Sequence, residues 1–140
     1  MTSESFKALR ATVAGVLNGF GGLNGYGKLP GTVNLPAAVV MPSAGQFYVF
    51  DTTMERGSDD IKLTILLLVS TAVNENAQDQ LDDFLPGGQY NIKAQLEGNL
   101  SGQVEYITVD VAQDYSLHMV AGTQYFGMQV LCTVGVEPAS

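Results

Sequence analysis

The chain has 140 residues, of which 46% are hydrophobic and 14% are charged, and six basic against fourteen acidic residues give a formal net charge of −8. This length predicts one domain, residues 1–140, with one hydrophobic core, and the apolar content excludes wholesale disorder. The acidic balance argues against a surface that binds nucleic acid by neutralising phosphates, although DNA can pass an acidic wall without sticking to it.

The first predicted element is an amphipathic helix near the start of the chain. Its apolar side chains recur at spacings of three and four, at Phe6, Leu9, Val13, Val16 and Leu17. Asn18-Gly19 is expected to end the helix. Six glycines and Pro30 fall between Gly19 and Gly31, so we predict turn and loop throughout that stretch.

Three strands are predicted in the next part of the chain. Prolines bound the apolar run 37–41, which favours an edge strand. The segments 46–53 and 61–70 are predicted to form a hairpin with a long polar tip, because the first is rich in aromatic and β-branched residues and the second alternates apolar residues over about ten positions. In the second arm the odd positions from Ile61 to Val69 are apolar, while the even face becomes apolar at Leu66 and Leu68. We expect a neighbouring subunit to cover Leu66 and Leu68.

Two helices and further strands complete the predicted fold. Asn74 or Asn76 caps a helix that reaches Leu85, and a second short helix covers 89–97 and ends at Gly98. Strands are predicted over 104–111 and 124–136, with a short segment at 117–121 between them. The prediction is therefore an α+β domain with a mostly antiparallel sheet of four to five strands, and with the N-terminal helix and a central helical pair packed on one face.

The scarcity of charge indicates contacts between copies of the chain. An average soluble domain has about 25% charged residues. A chain with only 14% is expected to hide part of its surface in permanent contacts with itself, although an ordinary monomer of mild composition is the alternative. Cys132 is the only cysteine, which excludes an internal disulfide and predicts a reducing compartment. No apolar segment is long enough to cross a membrane, and we expect no export.

The candidate motifs for catalysis and cofactor binding are weak. Residues 22–29 match the glycine and lysine spacing of a phosphate-binding loop, but Leu29 replaces the hydroxyl that would hold magnesium, and no strand precedes the motif. A nucleophile and base pair would have to combine Cys132 with His118, the only histidine, and Cys132 falls on an apolar strand face. We therefore expect no enzymatic activity and no cofactor.

Two acidic segments allow alternatives. Asp79, Asp82 and Asp83 share one helix face. The favoured interpretation is a solvated acidic surface, and the alternative is a site for a divalent cation. We expect no metal. The hairpin tip holds the second group, and we assign it to a subunit interface because Arg56 is suited to a bidentate carboxylate contact across a subunit boundary. The alternative for Arg56 is a local ion pair. The interface residues predicted in the tip are Met54, Glu55, Arg56, Ser58, Asp59 and Asp60.

Several of these features occur in a recognisable order. The N-terminal amphipathic helix is followed by Leu29-Pro30 to Pro36-Ala37-Ala38-Val39-Val40 at the first strand and by the tip Asp51-Thr52-Thr53-Met54 to Arg56-Gly57-Ser58-Asp59. The strand 63–70, the helix 78–85 with Leu81-Asp82, a glycine-rich break, the helix 92–96 and a final pair of strands come next. This order resembles the tail terminator, or tail-completion, proteins of long-tailed bacteriophages.

The resemblance implies a structural virion protein. Such a subunit forms a ring with copies of itself, typically a hexamer, which caps the tail tube at its head-proximal end and joins it to the head-completion or connector protein, while DNA passes through without specific binding. Assembly takes place in the host cytoplasm. Leu23, Tyr26 and Lys28 are then expected to contact the tube or the connector. The alternatives are a head-tail connector or tail-tube subunit of related fold, or a small cytoplasmic enzyme or ligand-binding domain.

Overall fold

Helices and strands alternate along the chain in the computed structural model, which describes residues 6–28, 31–43, 45, 48–49, 59–100, 104, 106–120 and 122–136. Within these residues there are three α helices: α1 (Phe6–Leu17), α2 (Glu75–Asp82) and α3 (Ile92–Leu100). The strands are β1 (Asn24–Tyr26), β2 (Ala37–Pro42), β3 (Tyr48–Val49), β4 (Asp59–Ser70), β5 (Tyr106–Val120) and β6 (Thr123–Val136).

The strands form one mostly antiparallel sheet in the order β1-β2-β4-β6-β5, with β3 paired to β4 beside this path. Among the strands that the structure describes, only β1 and β2 pair in parallel. The predicted α+β class is confirmed. The predicted edge position of β2 is wrong for Ala37 to Val39, because β1 pairs with these residues on the outer side.

The three helices cover one face of the sheet, as the sequence predicts. Helix α1 buries Leu9, Val13 and Leu17, and Gly19 ends it with a left-handed φ of 87° that suits a glycine. On β4 the odd positions from Ile61 to Val69 belong to the same buried cluster, which confirms the alternation predicted for this strand. The cluster also contains helical residues from α2 and α3: Ala77, Leu81, Ile92, Leu96 and Leu100.

The glycine-rich stretch is more ordered than predicted, because it contains β1 and packs against α1. A Cβ atom at Gly25 would collide with the carbonyl oxygen of Ala14, and one at Gly27 would lie 3.2 Å from the Cα atom of Ala11. Asn18 at the end of α1 accepts a hydrogen bond from the Gly25 amide at 3.1 Å. The glycines thus permit a close approach of strand and helix, besides the turns that they signal in sequence.

A second, smaller apolar cluster covers part of the opposite face. The segment 31–36 lies over the sheet there, held by Asn24, whose side-chain amide donates to the carbonyl oxygens of Asn34 and Pro36 at 3.0 and 3.2 Å. Leu66 and Leu68 are 4% and 0% exposed within this cluster. The expectation that a neighbouring subunit covers them is wrong in this fold, because the chain's own residues do so. These residues are Val33, Leu35, Val39, Val120 and Tyr125.

The second half of the chain differs from the prediction in its boundaries. Asn74 caps α2, with its side chain accepting from the Ala77 amide at 2.8 Å. Helix α3 continues through Gly98 to Leu100, because burying Leu100 compensates for a glycine within the helix. The segment predicted at 117–121 is not separate, since residues 117–120 belong to the fifteen-residue strand β5.

Candidate functional site

Strand β5 is the most exposed of the strands whose burial is described, and it forms one of the two edges of the sheet. Among the described residues six large hydrophobic side chains are exposed, and five of them lie on β5. Met119 is the most exposed of these, at 63%. The five residues are Tyr106, Val111, Tyr115, Leu117 and Met119. A long edge strand with apolar side chains is the usual place for pairing with another chain, so β5 is the candidate functional surface.

Two β-bulges interrupt the pairing of β5 with β6. The first lies between Val109 and Val111 and the second between Gln113 and Ser116. Asp114, in the second bulge, has a φ of 53°, a conformation that aspartate tolerates better than most residues. Bulges bend an edge strand and limit a continuous hydrogen-bonded ladder with a further strand. A partner of β5 would therefore be bound through side chains more than through backbone pairing.

Tyr115 connects this edge to α2. Its hydroxyl donates to Asp82 Oδ1 at 2.9 Å, with the carbonyl oxygen of Gln78 at 3.2 Å as a second acceptor, and its ring meets that of Phe126 edge-on at 5.1 Å. Burial first, then the hydrogen bond to Asp82 and the charges of Asp82 and Asp79, raise the pKa of Tyr115 to about 12. Tyr115 therefore places the acidic face of α2 next to the middle of β5.

The tip residues predicted at the subunit interface are only partly described. Met54, Glu55, Arg56 and Ser58 lie outside the described residues. Asp59 is described, but at 3% exposure it has little surface to offer a neighbour, so that assignment is corrected. It pairs with Val136 where the β4 and β6 ladder ends. Asp60 is half-buried, and its Oδ1 atom has no hydrogen-bond partner among the described residues.

The residues predicted to contact the tube or connector fall into three different environments. Leu23 is 1% exposed in the main core, so its assignment to an external contact is wrong. Tyr26 is half-buried, and its hydroxyl oxygen accepts a hydrogen bond from the Asn34 amide at 3.0 Å, which helps to hold the segment 31–36 in place. Lys28 is exposed and lies beside α1, in a groove with Lys7 and Arg10.

The structure separates the two residues that a nucleophile and base pair would require. His118 pairs with Tyr125, seven residues before Cys132 on the same strand, which corresponds to about 23 Å along β6. The ring of His118 donates from Nε2 to the carbonyl oxygen of Asp114 at 2.7 Å. Cys132 is 1% exposed, and burial, with a smaller effect from Asp110, raises the pKa of its thiol to about 12. These two residues therefore do not form a Cys–His pair within one chain.

The buried thiol makes the stability of the protein depend on pH in the alkaline range. Because the folded-state pKa is raised from 9.0 to about 12, the unfolded chain loses this proton more readily, and stability present below pH 9 is lost as the pH rises towards 12. We expect this loss to be up to about 1.4 kcal/mol per pH unit. Urea unfolding of wild type and Cys132→Ala between pH 8 and pH 11 measures it.

The cavity that Cys132→Ala leaves lowers the free energy of unfolding at every pH. The comparison therefore uses only the slope of the unfolding free energy against pH in each protein. The wild type should lose stability with pH more steeply than Cys132→Ala. Parallel slopes would contradict a protonated, buried thiol.

The acidic residues Asp79, Asp82 and Asp83 at α2 do not form a cluster that could hold a metal ion. In the part of the chain that the structure describes, no three acidic, histidine or cysteine side chains lie close enough together to hold a metal ion. Asp82 is instead the acceptor for Tyr115.

Among the described residues, no helix has both the length and the apolar character needed to span a bilayer.

Comparison with known proteins adds no relative: no protein-family model matches the chain, and no curated protein matches it. Sequence reasoning located the apolar strands but missed β5 as the candidate surface. The sequence signal for it is the pair of apolar positions Leu117 and Met119, and the sequence pattern predicts only a short segment there.

Proposed function

We propose that this chain is a structural subunit that assembles with copies of itself into a ring, and that the ring caps the tail tube of a long-tailed bacteriophage and joins it to the head. The observation that carries the proposal is the exposed edge strand β5 with its five large hydrophobic side chains. Apolar side chains exposed to water raise the free energy of a monomer, and burying them against another copy of the chain favours association.

The sheet order supports a ring in particular. Strand β5 lies at one edge and the three-residue strand β1 at the other, so the two edges of one subunit differ. Contact between unlike surfaces of identical subunits generates a closed ring when the rotation between them closes, and closure leaves no edge exposed. The resemblance to tail terminator proteins, which rests on the order of elements along the chain, supplies the location at the end of the tail.

The charge of the chain is compatible with a channel for DNA. A formal net charge of −8 on each subunit gives an assembled ring an acidic character that repels the phosphate backbone. DNA would then pass through the ring without being held. No catalysed reaction is part of the proposal.

The test is the mass of the purified full chain in solution, measured by light scattering over a range of concentrations, with end-on electron microscopy of the species formed. We expect a mass several times that of one chain at high concentration, and ring-shaped particles. A monomeric mass at every concentration up to the solubility limit would overturn the proposal.

The position in the virion is tested with phage particles that lack the protein. Absence of a tail-capping subunit should give overlong or headless tails. Normal tails with unsealed heads would assign the chain to the head-tail connector instead, and particles of normal form would overturn a virion role.

A further inference from the structure

A groove of about 520 Å³ lies between α1 and the β1 end of the sheet. It is lined mainly by small residues and backbone, because Gly25 and Gly27 bring β1 against the helix. Three cationic side chains surround it: Lys7, Arg10 and Lys28. These are half of the six basic residues in the whole chain, so the groove is a concentration of positive charge in a strongly acidic protein.

None of the three cations of the groove forms an ion pair with a carboxylate among the described residues. The ion pair found there joins Lys93 to Glu97. The guanidinium of Arg10 lies 5.0 Å from the centre of the Phe6 ring, which holds it by a cation–π contact. Its Nε atom is buried and has no hydrogen-bond partner among the described residues. A buried donor without a partner is costly, and an anionic acceptor entering the groove would remove that cost.

We propose that this groove binds the acidic edge of a second copy of the chain. The acidic edge comprises Asp79 and Asp82 on α2 with Asp110 and Asp114 on β5, and all four are exposed. Neither α2 nor β5 contains a lysine or an arginine. This inference rests on the proposed ring, to which it adds the identity of the two surfaces that meet.

The position of the two surfaces favours a second copy over a small anion. The groove lies at the β1 edge of the sheet, and the acidic edge lies at the β5 edge, so one subunit presents opposite charges at its two ends. Two copies with a net charge of −8 repel each other at long range. A local pairing of cations with carboxylates offsets that repulsion and selects the head-to-tail orientation over the others.

The test uses two charge-reversed variants of the full chain. The groove variant carries Lys7→Glu with Lys28→Glu, two exposed positions. The edge variant carries Asp79→Lys with Asp82→Lys, which are exposed on α2. Each variant alone places like charges opposite each other, so we expect its dissociation constant to rise at least about tenfold in light scattering. An equimolar mixture restores opposite charges at every contact and should recover the wild-type mass.

The control is Lys62→Glu with Lys93→Glu, which changes the net charge equally but lies outside the groove, beside Asp110 of the acidic edge, where it adds negative charge to the surface that the cations of the groove bind. It should associate more strongly than the groove variant. Circular dichroism confirms that each variant is folded, and the exposed positions chosen make that the expected result. Recovery of mass only on mixing is an outcome that a merely structural role of these residues cannot produce.

Three results would overturn the inference, and they are distinguishable. In the first, the groove variant still forms rings of the wild-type mass, while charged substitutions on β5 prevent ring formation. That result would overturn the inference and leave the proposed function standing. A monomeric wild type would remove both. Saturable binding of inorganic phosphate that the groove variant abolishes, with no change in mass, would assign the groove to a free anion instead.

Discussion

Replacing Gly127 with alanine is expected to destabilise the protein by about 4 kcal/mol or more, a large part of the 5–15 kcal/mol typical of a domain. Gly127 lies on β6 between β4 and β5, paired with Leu68 and Ser116. A Cβ atom there would collide with the carbonyl oxygen of Leu67 and lie 2.9 Å from its carbon. Backbone atoms of a central strand cannot yield without breaking the ladder. Urea unfolding followed by circular dichroism measures the effect.

A matched glycine in open space provides the control. Gly98 lies within α3, and no atom comes within 4 Å of the position its Cβ would occupy. Gly98→Ala should raise the stability by about 0.5–1 kcal/mol, because alanine favours the helix. An unfolding midpoint for Gly127→Ala equal to that of the wild type would mean that β4 and β6 do not pair in this register.

The parts of the fold that sequence reasoning predicts well are those with a local signal. Helix α1 follows from apolar residues at helical spacing, and the Asn18-Gly19 pair marks its end. The buried face of β4 follows from strict alternation between Ile61 and Val69. In each case the pattern lies within one element and needs no knowledge of what packs against it.

The parts that it misses depend on contacts between distant segments. Gly25 and Gly27 read as loop residues, and only the position of α1 shows why a strand there must lack side chains. The cover over Leu66 and Leu68 comes from the segment 31–36, which Asn24 and Tyr26 hold by hydrogen bonds. Asn24 and Tyr26 are ordinary polar choices for a loop, so nothing in their types reveals that role.

The sequence pattern does not reveal the exposed strand β5, for a related reason. Alternation along β5 is broken by its two bulges, and each bulge moves the following side chains to the opposite face of the sheet. A search for strict alternation therefore divides one long strand into two short ones. The acidic residues at the bulges, Asp110 and Asp114, look like turn residues in sequence, although they lie on the edge of the sheet.

The double substitution Leu117→Lys with Met119→Lys on β5 is expected to have the largest effect on assembly. These side chains are 44% and 63% exposed and lie on the same face of the strand. Fully burying one exposed side chain of this kind contributes about 1.5–3 kcal/mol, and the exposed fractions of the two together amount to about one side chain. Losing that burial and adding two charges should therefore raise the dissociation constant of the ring by more than about tenfold. Light scattering on the full chain measures the loss of mass.

Val73→Lys is the control, since Val73 is 53% exposed and lies outside β5. It introduces one positive charge where the β5 variant introduces two, and it removes one exposed apolar side chain, but it should leave the mass of the assembly unchanged. The substituted β5 positions are already exposed, so the monomer should keep the wild-type unfolding midpoint. If Val73→Lys dissolves the ring while the β5 variant does not, copies of the chain meet through another surface, and the functional importance assigned to β5 is wrong.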